Sequence, residues 1–465
     1  MLSGSPLSNI VRYSILIFFA EFFQAFYNIA DTFIVGRFLG MEALAAVGST
    51  RSLYVFVFGF AIGLCNGTTI ILAQRFGENF CVINEGVRKS AATCLFIITV
   101  FAILLTIILS PLIKPVLTLM NTPLEIYTMA VDYVSIIFYF MCVTFFANIL
   151  NSFLYAIGNS RVPFIILIIS SLLNIILDIL FISIFKMGVK GAASATVIAQ
   201  AVNLLLVFVY IYKRHRELLP FSFAHSVPSV FSVVYLKEEL KAHLPLGLTM
   251  ALQQSIIEAG NILVQAATNV LGTVAVAAVA TAQRIRQVNL MPFFSLMRGV
   301  TTFTAQNYGA GQLTRVRQGM KAACVLGIAM ALIMGAANFI WGEAASSLFI
   351  AGAGSSTDVV AFNTAREAVR LSGLYLRYVG ASLFILAIML NFRGATQGLG
   401  KKMAPTLCSI METAMSILTA FILIPAFGYE CAAMANPLSW LASAVPVIWN
   451  YAVWIRAKSF KKSHE

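Results

Sequence analysis

Leu39-Gly40-Met41-Glu42-Ala43-Leu44-Ala45-Ala46-Val47 returns 232 positions later as Leu271-Gly272-Thr273-Val274-Ala275-Val276-Ala277-Ala278-Val279. Ala73-Gln74-Arg75-Phe76-Gly77 keeps the same offset of 232 in Ala305-Gln306-Asn307-Tyr308-Gly309, a register that chance would not hold twice. Gly158-Asn159-Ser160-Arg161-Val162-Pro163 answers Gly400-Lys401-Lys402-Met403-Ala404-Pro405 at an offset of 242, and Gly188 with Ala192-Ala193 answers Gly428 with Ala432-Ala433 at 240. The chain is therefore a tandem duplication, with about ten residues inserted in its second copy.

Both copies are built for a bilayer. The chain is 60% hydrophobic and 11% charged, and its apolar runs approach or exceed the length that crosses a hydrocarbon core of about 30 Å. The net charge of +13 punctuates the ends of apolar segments instead of forming a patch, which argues against nucleic acid as a partner. The apolar pattern predicts spans at roughly 10–36, 44–73, 87–113, 124–154, 163–186 and 190–212, then 239–266, 275–303, 319–347, 366–397, 404–425 and 431–455. The expected fold is an all-α integral membrane protein, twelve transmembrane helices in two pseudo-symmetric six-helix lobes. The N-lobe would occupy 1–212, a connector 213–238 and the C-lobe 239–465. Six spans per copy give both repeats one orientation, an arrangement common in secondary transporters, where the site lies between the repeats.

Loop charge sets the direction. Arg75, Arg88, Lys89, Arg161, Lys213, Arg214, Arg216, Lys237, Lys241, Arg315, Arg317, Lys321, Lys401 and Lys402, with the C-terminal cluster from Arg456 to Lys462, share the side of the two termini. The positive-inside rule then places both termini in the cytoplasm of a cell that keeps this protein in its inner or plasma membrane. The first apolar segment is too long for a cleavable signal and has no small-residue cleavage pattern. The connector carries Pro220 and Pro228 and should run along the cytoplasmic surface. The seven cysteines are scattered singly, with no disulfide framework or metal motif.

Polar residues inside the spans point to function. Glu21, Gln24, Asn28 and Asp31 follow at i, i+3, i+7 and i+10, an arc of roughly 80° at 100° per residue. Ser170, Asn174 and Asp178 line span five, Thr196, Gln200 and Asn203 span six, and Asn148, Asn151 and Tyr155 span four. Hydrogen bonding between helices is a sufficient account of the neutral residues. A carboxylate near a helix centre costs about 2.5–3.5 kcal/mol on insertion scales and needs water, a partner or a cation. Helix rise puts Asp31, Asp178 and Thr196 at compatible depths in the outer half of the bilayer, where the two acids would take up a proton reversibly. The structural alternative is an ion pair with Arg51.

The repeat provides a comparison within the chain. Asp31 corresponds to Leu263, Asp178 to Ala420 and Asn174 to Ser416. The helices can evidently be built without those acids, which favours a specialised N-lobe site. In the C-lobe, Gln254, Glu258, Asn261 and Gln265 form another one-face stripe on span seven, and Glu412 lies in span eleven. These residues are candidates for a substrate cavity, for a second cation site, or for pairing with Arg284, Arg286 or Arg377.

The run Tyr27-Asn28-Ile29-Ala30-Asp31-Thr32-Phe33-Ile34-Val35-Gly36-Arg37, the paired Ala-Gln-x-x-Gly ends of spans two and eight, and the Gly158 to Pro163 turn resemble the multidrug and toxic compound extrusion (MATE) transporters. The resemblance covers nearly the whole chain and is similar to the DinF-like, proton-coupled branch. It implies a cation-coupling network of Gln24, Tyr27, Asp31, Asn151, Asn174, Asp178 and Thr196. It also implies a multidrug efflux antiporter in which two rigid lobes rock about a central cavity. Two departures stand out. The stretch from Ser382 to Asn391 has no carboxylate, which weakens a C-lobe sodium site, and no proline lies between Pro6 and Pro111, so a proline-centred bend of span one is not carried over.

The resulting expectation is a non-enzymatic exporter that exchanges protons for amphipathic, cationic organic compounds, as a monomer in the lipid bilayer and without a cofactor. Na⁺ held at Asp31 and Asp178 is the alternative coupling ion. A lipid-linked precursor flippase of the same superfamily is the rival function, favoured by a cationic cavity of the kind Arg51, Arg284 and Arg286 could form. A channel would need a continuous pore. A membrane-embedded enzyme is disfavoured because His215, His225, His243 and His464 make no metal-ligand cluster with the acids.

Overall fold

Gly40 and Gly272 both stand at positive φ, 85° and 94°, and each marks the join between the first two spans of its repeat. A side chain at such a φ meets the backbone, so glycine is the residue that turns the chain there at least cost. The computed structural model describes residues 1–120, 122–219, 233–350 and 359–462, all of whose regular structure is helical.

Helix α1, Pro6–Glu78, is kinked at Gly40 and carries spans one and two. α2, Glu85–Leu119, is span three, its N-terminus capped by the Asn84 side chain accepting from the Val87 amide. α3, Leu124–Tyr139, and α4, Met141–Ala156, meet at 49° and together form span four. The apolar pattern predicts one span there, at roughly 124–154, and the structure bends it at Phe140. Span five is α5, Arg161–Asp178, continued by a π-helical stretch, Ile179–Ile184. Span six is α6, Val189–Arg214, and a short 3₁₀ turn follows at Arg216–Leu218.

The C-lobe repeats this plan. α7, Val233–Asn269, and α8, Thr273–Gly309, are spans seven and eight. α9, Leu313–Ser347, and α10, Val359–Gly398, are spans nine and ten. Span eleven is α11, Met403–Leu418, with a π-helical stretch at Thr419–Leu423 and a last turn, α12, Ile424–Phe427. Span twelve is α13, Tyr429–Lys462. Of the connector expected at 213–238, residues 220–232 lie outside the described residues, and α7 already begins at Val233.

Among the described residues eight helices are apolar and long enough to cross a bilayer by themselves, or nine if the bent pair is one span. α1 crosses twice, and α7 and α8, which lack a stretch as apolar as the others, complete the twelve. Large apolar side chains such as Ile107, Leu332, Ile333, Phe421 and Trp449 remain exposed along the spans, the surface a bilayer would cover. Each lobe has its own core. Leu64, Ile98, Phe138, Phe145 and Phe153 fill the N-lobe, while Phe293, Tyr375, Leu383, Leu386 and Trp440 fill the C-lobe. Ile10 of span one belongs with Leu296, Val300 and Phe303, so the lobes share a third core at the side that carries the termini.

Candidate functional site

Asp178 ends α5 where the helix widens into its π-helical stretch, a local irregularity found often at functional sites. It is fully buried, and its carboxyl lies within hydrogen-bonding reach of that of Asp31 on span one. Two carboxylates are both acceptors, so this contact becomes a hydrogen bond only when the pair holds a proton. Asn174, one turn earlier on α5, donates to Asp178 Oδ2 at 3.1 Å and accepts from the Thr196 backbone amide at 3.2 Å, the amide orientation that satisfies both partners. The Thr196 hydroxyl donates to the Ala192 carbonyl of its own helix. Tyr27 and Tyr133 lie near both acids, and Tyr54 lies near Asp31.

Asn151 belongs to an adjoining network. Its amide donates to Asn203 Oδ1 at 3.0 Å, and Asn203 donates to Ser170 Oγ at 3.2 Å. Gln24 is half-buried on span one and, among the described residues, takes no part in either network. The alternative ion pair with Arg51 does not form. Arg51 is exposed, and among the described residues no Lys or Arg stands within 4.0 Å of either acid.

The span-one stripe divides between the lobes. Asp31 turns into the N-lobe, whereas Glu21, three turns away, reaches across to the C-lobe. There it meets Arg298 at 3.1 Å and accepts from Ser295 Oγ at 3.2 Å. The sequence reading missed Arg298, although an arginine deep within the apolar half of span eight was the available signal. The span-seven stripe also faces the other lobe. A Cβ on Gly59 would sit 3.4 Å from the Gln254 side chain. Further out, Gln254 and Asn261 both donate to the Glu258 carboxylate, at 3.2 and 3.4 Å. Glu258 has no described ion-pair partner.

Glu412 pairs with none of the arginines expected for it. Its neighbour is Arg393 of span ten, at 3.8 Å, while Arg377 pairs with Glu343 and Arg286 donates to Asn436. Arg393 is held by Gln253 and Ser409, each 2.9 Å from Nη2. At the repeat offset of 242, Arg393 corresponds to Asn151 and Glu412 to Ser170. The two lobes therefore bury polar groups at equivalent places but distribute charge differently. The N-lobe has neutral groups there and its acids elsewhere; the C-lobe has an ion pair there and Leu263 and Ala420 where the acids would be. Among the described residues no cluster of three or more His, Cys, Asp or Glu could hold a metal ion.

Two repeats of six helices in one orientation, with charge buried unequally between them, are the plan of a multi-pass membrane transporter. The MatE family model matches residues 17–180 and 245–422, and the chain belongs to that family. It is 29% identical over 320 residues to "Probable multidrug resistance protein YoeA" of Bacillus subtilis (strain 168), covering 68% of this chain and 67% of that one. It is 23% identical over 412 residues to "Probable multidrug resistance protein NorM" of Thermotoga maritima, covering 87% and 82%. Its fold matches a crystal structure described as MATE in the bent conformation with a TM-score of 0.85 at 22% identity, over 99% of this chain and 97% of that one.

Proposed function

We propose that this chain is a multidrug exporter of the DinF-like branch, with both termini in the cytoplasm, which exchanges protons for amphipathic organic cations. The observation that carries the reading is the Asp31 and Asp178 carboxyl contact, buried beside Asn174 and absent from the equivalent positions of the other repeat. A proton shared by the pair is held without the ligand shell that a sodium ion would require. The singly protonated pair packs inside the N-lobe with one negative charge, and its loss of the proton leaves like charges in contact, which drives the two spans apart or draws in water. Coupling follows if the outward- and inward-facing states bind the proton and the substrate with different affinity. Glu258, half-buried on span seven and without a cationic partner among the described residues, supplies the charge for a cationic substrate, and the aromatic side chains of span one supply apolar contact. The names of the relatives support export of drugs.

The test is transport in proteoliposomes with proton and sodium gradients imposed separately, over a panel of organic cations. The expected result is export driven by the proton gradient at constant sodium. Export that follows only the sodium gradient at constant pH overturns the coupling assignment.

A further inference from the structure

The two halves of the repeated Ala-Gln-x-x-Gly motif grip each other across the lobes. Gln74 Nε2 of span two donates at 2.7 Å to the Gly398 carbonyl, the last residue of span ten in the other lobe. Gln306 Nε2 of span eight donates at 2.7 Å to the Ala156 carbonyl, the last residue of span four. Gln74 and Gln306 are repeat equivalents at 232, and Ala156 and Gly398 are equivalents at 242, so the two bonds are related by the pseudo-symmetry of the fold. Each glutamine satisfies a helix C-terminal carbonyl that has no partner within its own helix.

The glycines of the motif close the same seam. A Cβ on Gly77 would stand 2.0 Å from the Gln306 carbonyl oxygen, and one on Gly309 would stand 1.9 Å from that of Gln74. Backbone therefore meets backbone, and any side chain at either position would wedge the lobes apart. Above this crossing, a Cβ on Gly63 or Gly67 would meet the Ala251 or Gly247 backbone of span seven at 2.7 and 2.6 Å. On one flank Arg75 makes a two-pronged ion pair with Glu239, at 2.7 and 2.6 Å. On the equivalent flank Asn307 stands in place of Arg75 and accepts from Arg315. Among the described residues these inter-lobe contacts run from the terminal side to about the middle of the spans, where Glu21 meets Ser295 and Gly59 meets Gln254.

We propose that Gln74 and Gln306 form a pseudo-two-fold latch that closes the terminal side of the inter-lobe cleft, and that both bonds must break before substrate is taken up from that side. The inference rests on the alternating-access reading above but not on the coupling ion. Glutamine suits the role because its amide gives a directional bond to a carbonyl without a charge that would need burying in each cycle. Their release frees two helix ends, Ala156 and Gly398, whose carbonyls water then satisfies. The latch makes these residues positioning residues of the transport cycle, since they touch neither the acids nor the Glu258 stripe.

The experiment is backbone hydrogen exchange of the full chain in lipid nanodiscs, without substrate or gradient, so that it reads lobe opening separately from coupling. The variants are the double substitution Gln74→Asn with Gln306→Asn, which shortens each side chain by one methylene, and Gly77→Ala, which wedges the seam. The expected result for both is exchange that rises roughly tenfold in 60–77 and 295–309, the loss of two hydrogen bonds, while it falls in 24–36 and 258–269 as the outer half closes. A residue that merely stabilised the fold would raise exchange in both halves. Unchanged seam exchange in the glutamine variant, or a rise in inner and outer halves together, overturns the proposal. Should Gly77→Ala fail to fold, the glutamine variant decides alone.

Discussion

Asp31 and Asp178 come from spans one and five, far apart in the chain, and their carboxyl groups meet inside the N-lobe within hydrogen-bonding reach. No cationic side chain compensates them among the described residues, and the amide of Asn174 is the one directional donor described for the pair. Such a contact tolerates one negative charge and resists two.

Asp31→Asn and Asp178→Asn are each expected to abolish gradient-driven export while the protein still folds and inserts, because an amide is similar in size and cheaper to bury than the ion. Proteoliposome flux together with size-exclusion behaviour checks both halves of the statement. Normal pumping by the two well-folded variants would move the coupling site to the C-lobe.

Glu258→Gln is expected to change the apparent affinity for cationic substrates without uncoupling transport. Its carboxylate interacts with Gln254 and Asn261 and has no described ion-pair partner, so removing its charge strands no buried cation. The discriminating measurement compares a cationic and a neutral drug of similar size. Equal loss for both, or proton leak without substrate, contradicts the assignment.

Arg393→Met is expected to lower the apparent melting temperature in detergent by an amount equivalent to about 3 kcal/mol, the cost of leaving one member of a buried pair alone. The side chains of Arg393 and Glu412 are only 10% and 15% exposed, so solvent screens them little. Adding Glu412→Gln to Arg393→Met should recover part of the loss. A double variant less stable than the single one would show that the pair is held by something other than its charge.

Gly40→Ala is expected to cost about 1–2 kcal/mol through backbone strain alone, since its φ is 85° and a Cβ there meets nothing within 4 Å. Gly40→Asn should cost as much, because ψ is −175° and this extended positive-φ region is essentially confined to glycine. Equal stability of wild type and Gly40→Ala would mean that the kink relaxes when the side chain is added.

The duplication, the twelve spans and the positions where the chain turns follow from the sequence by itself. Apolar runs are local in origin, and glycine at Gly40, Gly158, Gly188 and their equivalents signals backbone that other residues adopt at a cost. The intramembrane acids were legible for the same reason, since a carboxylate in an apolar run conflicts with its surroundings. Which group each one meets was decided only by the tertiary structure. One stripe on span one sends Asp31 to Asp178 and Glu21 to Arg298, because an arc of roughly 80° is wide enough to face two neighbours when a helix packs between two lobes. The break of span four at Phe140, the choice of Arg393 over three other arginines for Glu412, and the reciprocal hold of Gln74 and Gln306 have the same origin. Each depends on how far helices rotate, bend and approach in three dimensions, and spacing along one helix carries no record of the helix packed against it.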